Sequence, residues 1–143
     1  MATTKNILVP IDFSKRSEAA FNHAIGLARE VRAKLLLVHV ITASATTVPL
    51  PFRAQYYKEL EREAVQSIER LLQRKKVKAK DYRLVILHGG DAARLITQQA
   101  AKSKSSMIVM GSHGRTGLRR LILGSVAERT LRYAKCPVLI VKR

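Results

Sequence analysis

The chain has 143 residues, with 27 Lys and Arg against 10 Asp and Glu, a formal net charge of +17, and 47% hydrophobic content. Length and apolar content fit one domain with an ordinary core and exclude a wholly disordered chain. The single cysteine, Cys136, excludes an internal disulfide framework and a cysteine-based zinc finger, and it fits a reducing compartment.

The elements alternate regularly along the chain. Asn6–Ile11 reads as a short apolar strand, too short before Pro10 and Asp12 for a signal-peptide core. Ser14 can cap the next helix, whose stripe is Ala20, Ala24, Leu27, Ala28 and Val31. Leu35–Ile41 is a continuous apolar strand of the kind buried on both faces. Thr42–Phe52 reads as a loop. Leu60, Ala64, Ile68, Leu71 and Leu72 then mark a long second helix. Arg83–Leu87 is a third strand closed by His88-Gly89-Gly90, and Asp91 can cap a third helix reaching Lys102. Met107–Met110 is a fourth strand, Val126–Ala134 a fourth helix, and Pro137–Val141 the last strand. No apolar run approaches the 18 or so residues needed to cross a bilayer, so the expectation is a soluble cytoplasmic protein without membrane contact.

This order predicts a single doubly wound α/β domain over residues 1–143, with a five-stranded parallel sheet and helices on both faces. Pro137 is compatible, since proline is tolerated at the first residue of a strand. In such sheets ligands bind outside the carboxyl ends of the strands, where strand order reverses. The residues of interest therefore follow the strands: Asp12, the chain from Ile41, His88-Gly89-Gly90, and the chain from Gly111.

The last of these carries the most chemistry. Residues 111–125 bring glycines to a strand end and again to a helix start, with Arg115 beside the first group. The stretch has neither the Gly-Lys-Ser/Thr ending of a P-loop nor a G-x-G-x-x-G. Glycine lets backbone N–H groups approach a phosphate, and a helix N-terminus favours an anion. Ser125-Val126-Ala127-Glu128 is equally a capping-box pattern, which would occupy Ser125 structurally. Both readings stand on spacing alone.

Gly111-x2-Gly114-x9-Gly124-Ser125, together with the opening Ile7-Leu8-Val9-Pro10-Ile11-Asp12-Phe13-Ser14 and the closing Cys136-Pro137-Val138-Leu139-Ile140-Val141, resembles the nucleotide-binding branch of the universal stress protein family over the whole chain. The resemblance implies strand order 3-2-1-4-5 and binding of ATP or a related adenine nucleotide, ADP or AMP, with Mg²⁺ able to join through the phosphates. It also implies a homodimer through the last strand. Carried over by position, Asp12 meets the ribose, while Val40 and the backbone at Pro10-Ile11 border the adenine. Gly111, Gly114, Arg115, Gly124, Ser125 and Val126 surround the ribose and phosphates. No catalytic base stands out, so the expected function is a stress-response binding module or slow switch, with slow ATP hydrolysis as its upper limit.

Other constellations are weaker. His39, His88 and His113 could gather with Asp12 near the carboxyl edge, but none has a second ligand at local metal spacing, and they read as polar residues at a pocket rim. Asp12, Ser14 and a histidine lack a nucleophile elbow. Cys136 reads as a small buried hydrophobe. The rival class is a basic nucleic-acid-binding protein. Its densest basic run, from Arg70 to Arg83, comes without aromatic residues for base stacking and reads as a solvated helix end and loop.

Overall fold

The computed structural model describes residues 5–44, 46–112 and 123–142. Among these residues five strands and four helices alternate: β1 (Asn6–Pro10), α1 (Lys15–Val31), β2 (Lys34–Ile41), α2 (Leu50–Arg74), β3 (Tyr82–His88), α3 (Ala92–Lys102), β4 (Met107–Gly111), α4 (Ser125–Tyr133) and β5 (Val138–Val141). A short 3-10 turn, Ala79–Asp81, precedes β3. The strands form one sheet in the order β3-β2-β1-β4-β5, every neighbouring pair parallel. Among the described residues no helix is long and apolar enough to cross a membrane.

The continuous apolar runs are explained by burial on both sides. Along a strand, alternate side chains point to opposite faces. Ile7, Val9, Leu35, Leu37 and Val109 pack under α1 and α2 with Phe21, Ala24, Ile68 and Leu72. Leu8, Leu36, Val38, Ile108 and Met110 pack on the other face against Ile96 and Ala100 of α3 and Ala127 of α4. In the central strands β1, β2 and β4 neither face is left to solvent, so both phases are apolar.

Side-chain caps mark two of the four helix starts, α1 and α3. Ser14 Oγ accepts from Ser17 N–H at 3.1 Å, and Asp91 Oδ1 accepts from Arg94 N–H at 3.2 Å, as capping requires. Most strand ends and both ends of α4 fall within one residue of the sequence reading, and the largest difference is the loop after β2. The loop after β2 stops at Pro49, because α2 begins at Leu50 and takes Pro51 into its first turn. There a missing N–H costs nothing, since no carbonyl one turn earlier awaits it. The third strand also starts earlier and ends later, pairing Tyr82 with Leu35 and His88 with Ile41.

The other helix ends repeat one unusual device. Arg32, Lys76 and Lys104, just past α1, α2 and α3, sit at φ 54°, 55° and 53°. In each case the next residue bonds back five positions: Ala33 N–H to Ala28 O at 2.9 Å, Val77 N–H to Leu72 O at 3.1 Å, and Ser105 N–H to Ala100 O at 2.9 Å. These are Schellman turns, in which the left-handed residue is usually glycine. A side chain there costs roughly 1–2 kcal/mol. A cation beside the helix C-terminus returns only about 0.3–1 kcal/mol. The chain therefore carries three basic residues at net local expense.

Candidate functional site

β1 lies at the middle of the sheet, with β2 on one side and β4 on the other, so the winding reverses between β1 and β4. Above that point opens a cleft of about 670 Å³, within the usual range for small-molecule sites. Pro10, Ile11, Asp12 and Phe13 line it from the end of β1, Val40 and Ile41 from β2, Gly111 from β4, and Gly124, Ser125 and Val126 from the start of α4. Eight of the ten residues singled out in the sequence thus share one cavity. Gly114 and Arg115, with His113, lie outside the described residues.

The segment after β1 is held by short polar contacts. Asp12 Oδ1 accepts from Ser14 N–H at 2.9 Å, a turn that fixes the carboxylate at the cleft. His39 Nδ1 lies 2.6 Å from Ile11 O. A carbonyl only accepts, so Nδ1 carries the proton and donates. His39 thus ties β2 to the chain leaving β1. Between these contacts Phe13 adopts φ 67°, an outlier for an aromatic residue, with its ring 4.9 Å from the His39 ring. Such strain persists only where neighbours over-determine it.

The start of α4 resolves the double reading of Ser125. Gly124 is the N-cap residue and makes no side-chain cap, while Ser125 is already the first helical residue and exposed. The capping box is not formed, so it does not consume the Ser125 hydroxyl. Gly124 N–H donates to Ser112 O at 2.7 Å, and the first intrahelical bond runs from Glu128 N–H to Gly124 O. The N–H groups of Ser125, Val126 and Ala127 come before that bond and have no helical acceptor.

Gly111 owes its identity to packing. A Cβ there would lie 2.9 Å from the backbone carbonyl carbon and oxygen of Arg16 in α1. This glycine lets β4 and α1 approach; it is not simply space left for a ligand.

The far wall of the cleft was not visible in the motifs. Leu60, Glu63, Ala64 and Ser67 of α2 face it, with Ala92 and Ile96 of α3. Leu60 and Ala64 belong to the apolar stripe, and the stripe signal alone does not distinguish a core contact from a pocket wall. His88 lies outside the cleft, in contact with Glu61, with the Tyr57 ring edge-on at 5.5 Å. Among the described residues no group of three His, Cys, Asp or Glu side chains could hold a metal ion. Cys136 is half-buried against the α3–α4 face, and burial pushes its thiol pKa up.

Asp91 links the start of α3 to α4. Its Oδ2 lies 2.6 Å from Arg129 Nη2 while its Oδ1 caps α3. The Arg129 hydrogen bond, then the Arg94 N–H, hold the Asp91 carboxyl below its ordinary value. A carboxylate with a depressed folded pKa stabilises the fold above its unfolded pKa and loses that effect as pH falls through the folded value. The stability gap between the parent and Asp91→Asn should therefore stay constant from neutral pH down to about pH 5 and close below about pH 4. Urea unfolding at several pH values measures it, and a gap unchanged at pH 3 would remove this ion pair as its source.

Comparison with known proteins agrees with this architecture. Residues 3–142 match the Universal stress protein family. Universal stress protein MJ0531 of Methanocaldococcus jannaschii is 37% identical over 97% of this chain and 82% of its own length. The solved structure of hypothetical protein MJ0577 superposes with a TM-score of 0.85 at 30% identity, covering 99% of this chain and 98% of that one. The universal stress protein from Archaeoglobus fulgidus, solved in complex with dAMP, superposes at 0.70 with 22% identity, covering 99% of this chain and all of that one. A parallel five-stranded sheet of this order, a cleft at its switch point and a family match across nearly every residue lead to one conclusion: the chain belongs to the universal stress protein family.

Proposed function

We propose that this chain is an adenine-nucleotide-binding regulatory protein of the cytoplasm, holding ATP, ADP or AMP in the cleft between β1 and β4. The observation that carries the reading is that one cavity joins an anchored carboxylate, an apolar floor and the first turn of a helix. Asp12 accepts hydrogen bonds from the ribose hydroxyls, and Val40 with the backbone at Pro10-Ile11 borders the adenine. Gly111, Gly124, Ser125 and Val126 face the ribose and phosphates, and the family signature assigns Gly114 and Arg115, outside the described residues, to the same ligand groups. The helix N-terminus supplies partial positive charge where the phosphates carry negative charge. Mg²⁺ would join through the phosphates of the bound nucleotide, and hydrolysis is no faster than a slow switch requires. The dAMP in the Archaeoglobus fulgidus structure belongs to the ligand class proposed. Mass spectrometry of small molecules released from freshly purified, denatured protein tests the reading. Adenine nucleotide is expected; a different nucleotide base would contradict it.

Assembly is part of the same proposal. β5 is an edge strand, with Leu139 40% exposed. Such an apolar edge favours pairing with another chain, and the simplest closed arrangement is a two-fold homodimer. Val141 is buried in the core, so Leu139→Lys is the cleaner probe. Light scattering at micromolar concentration should show a dimer for the parent and a monomer for Leu139→Lys; a monomeric parent would overturn this arrangement.

A further inference from the structure

The charge of +17 is scattered along the sequence, but the parallel topology does not leave it scattered in space. All strands enter from the same end of the sheet, so the turns before them share its amino edge. Arg32 and Lys34 precede or open β2, Lys76, Lys78 and Lys80 precede β3, and Lys104 precedes β4. All six are exposed, and among the described residues none forms an ion pair with a carboxylate. Asp81 is the sole acidic residue in turns 32–34, 75–81 and 103–106.

We propose that this amino edge, opposite the cleft, binds the phosphate backbone of duplex nucleic acid without reading its sequence. The independent support is the three left-handed turns. Arg32, Lys76 and Lys104 occupy positions where glycine is the unstrained choice, and each is a basic residue in a turn that leads into a strand at this edge. A strained backbone that persists three times in one place points to a role for its side chains. The cations lead into β3, β2 and β4, the outer two lying three strand spacings of about 4.8 Å apart, so they span about 14 Å, comparable to the roughly 12 Å width of a B-DNA major groove. Sparse aromatic residues argue against single strands, which need stacking platforms. A membrane surface fits less well, because the exposed Leu50 and Phe52 lie at the start of α2, towards the other end of the sheet.

The test compares the parent with the triple variant Arg32→Gly, Lys76→Gly, Lys104→Gly. Duplex DNA and duplex RNA of about 20 base pairs are titrated by fluorescence anisotropy across a salt series, with anionic phospholipid vesicles as a separate arm. The triple variant should be at least as stable thermally as the parent and bind ATP equally well. Its duplex affinity should fall at least tenfold, and its log–log salt slope should flatten by about 2–3, close to one per lost phosphate contact. DNA and RNA affinities within a few-fold of each other are expected for backbone recognition. A second variant, Lys34→Gln, Lys78→Gln, Lys80→Gln, changes exposed side chains outside the left-handed turns and should show the same loss if the first fails to fold. Duplex binding with an unchanged salt slope in the folded variants, no duplex binding by the parent, or preferential binding of vesicles would overturn the proposal.

Discussion

Gly111→Ala is expected to lower folding stability by roughly 1–3 kcal/mol, the usual effect of forcing an atom into a filled core. The added methyl would stand 2.9 Å from the Arg16 backbone, and backbone cannot swing aside as a side-chain tip can. α1 would have to shift away from β4, disturbing the floor of the cleft. Gly124→Val provides the contrast. Its φ of −64° and ψ of 161° suit any residue, and its N–H bond to Ser112 survives substitution. Denaturant midpoints should therefore fall further for Gly111→Ala than for Gly124→Val, whose expected loss is the smaller one of placing valine at an N-cap. Nucleotide affinity should fall in the second variant, where a branched side chain enters the cleft. A Gly124→Val protein that is folded and binds ATP like the parent would contradict the placement of the phosphates.

Asp12→Ala is expected to weaken ATP by roughly 1–3 kcal/mol, the range for losing hydrogen bonds to a charged group. Inorganic triphosphate, which has no ribose, should lose far less. Because Asp12 Oδ1 also holds Ser14 N–H, alanine loosens the turn as well as removing the carboxylate. Asp12→Asn separates the effects: an amide oxygen can preserve the turn, while the charge is lost. Asparagine should retain the stability of the parent and lose much of its ribose affinity. Equal losses for ATP and triphosphate, measured by calorimetry, would take Asp12 out of the ribose role.

The fold was legible because the signals were local and agreed with one another. Apolar runs bounded by Ser14 and Asp91 gave the same boundaries as the hydrogen-bonded caps. Where the signals were ambiguous, tertiary context decided. Pro51 reads as a loop residue until the helix around it is seen to begin one residue earlier. Ser125 fits a capping box by spacing, yet the chain enters α4 with Gly124 at the cap, which puts the serine inside the first turn. The role of Gly111 depends on Arg16, far away in sequence. The α2 wall could not be read, because a helix stripe does not reveal which of its turns overhangs a cavity.

Charge was the least legible property. In the sequence the basic residues form one dense run and many isolated positions. In the fold, Arg74 and Lys75 of that run pair with Glu18 of α1, at 3.3 and 2.9 Å. The Lys75 hydrogen bond, aided by Arg74, holds the Glu18 carboxyl below its ordinary value. Arg32 and Lys104, isolated in the sequence, are brought to the amino edge with Lys76 and its neighbours because every strand starts there. The carboxyl edge carries the cleft and the opposite edge the unpaired cations, so the two proposed functions occupy separate ends of one sheet.

Titration of isotopically labelled protein with ATP, followed by backbone amide shifts, tests the location of the nucleotide most directly. Asp12, Val40, Gly111, Ser125 and Val126 should shift together and saturate with one affinity, while Arg32, Lys76 and Lys104 stay still. Saturating shifts confined to the amino edge, or no shifts at the carboxyl ends of β1 and β4 with ATP at millimolar concentration, would contradict the account.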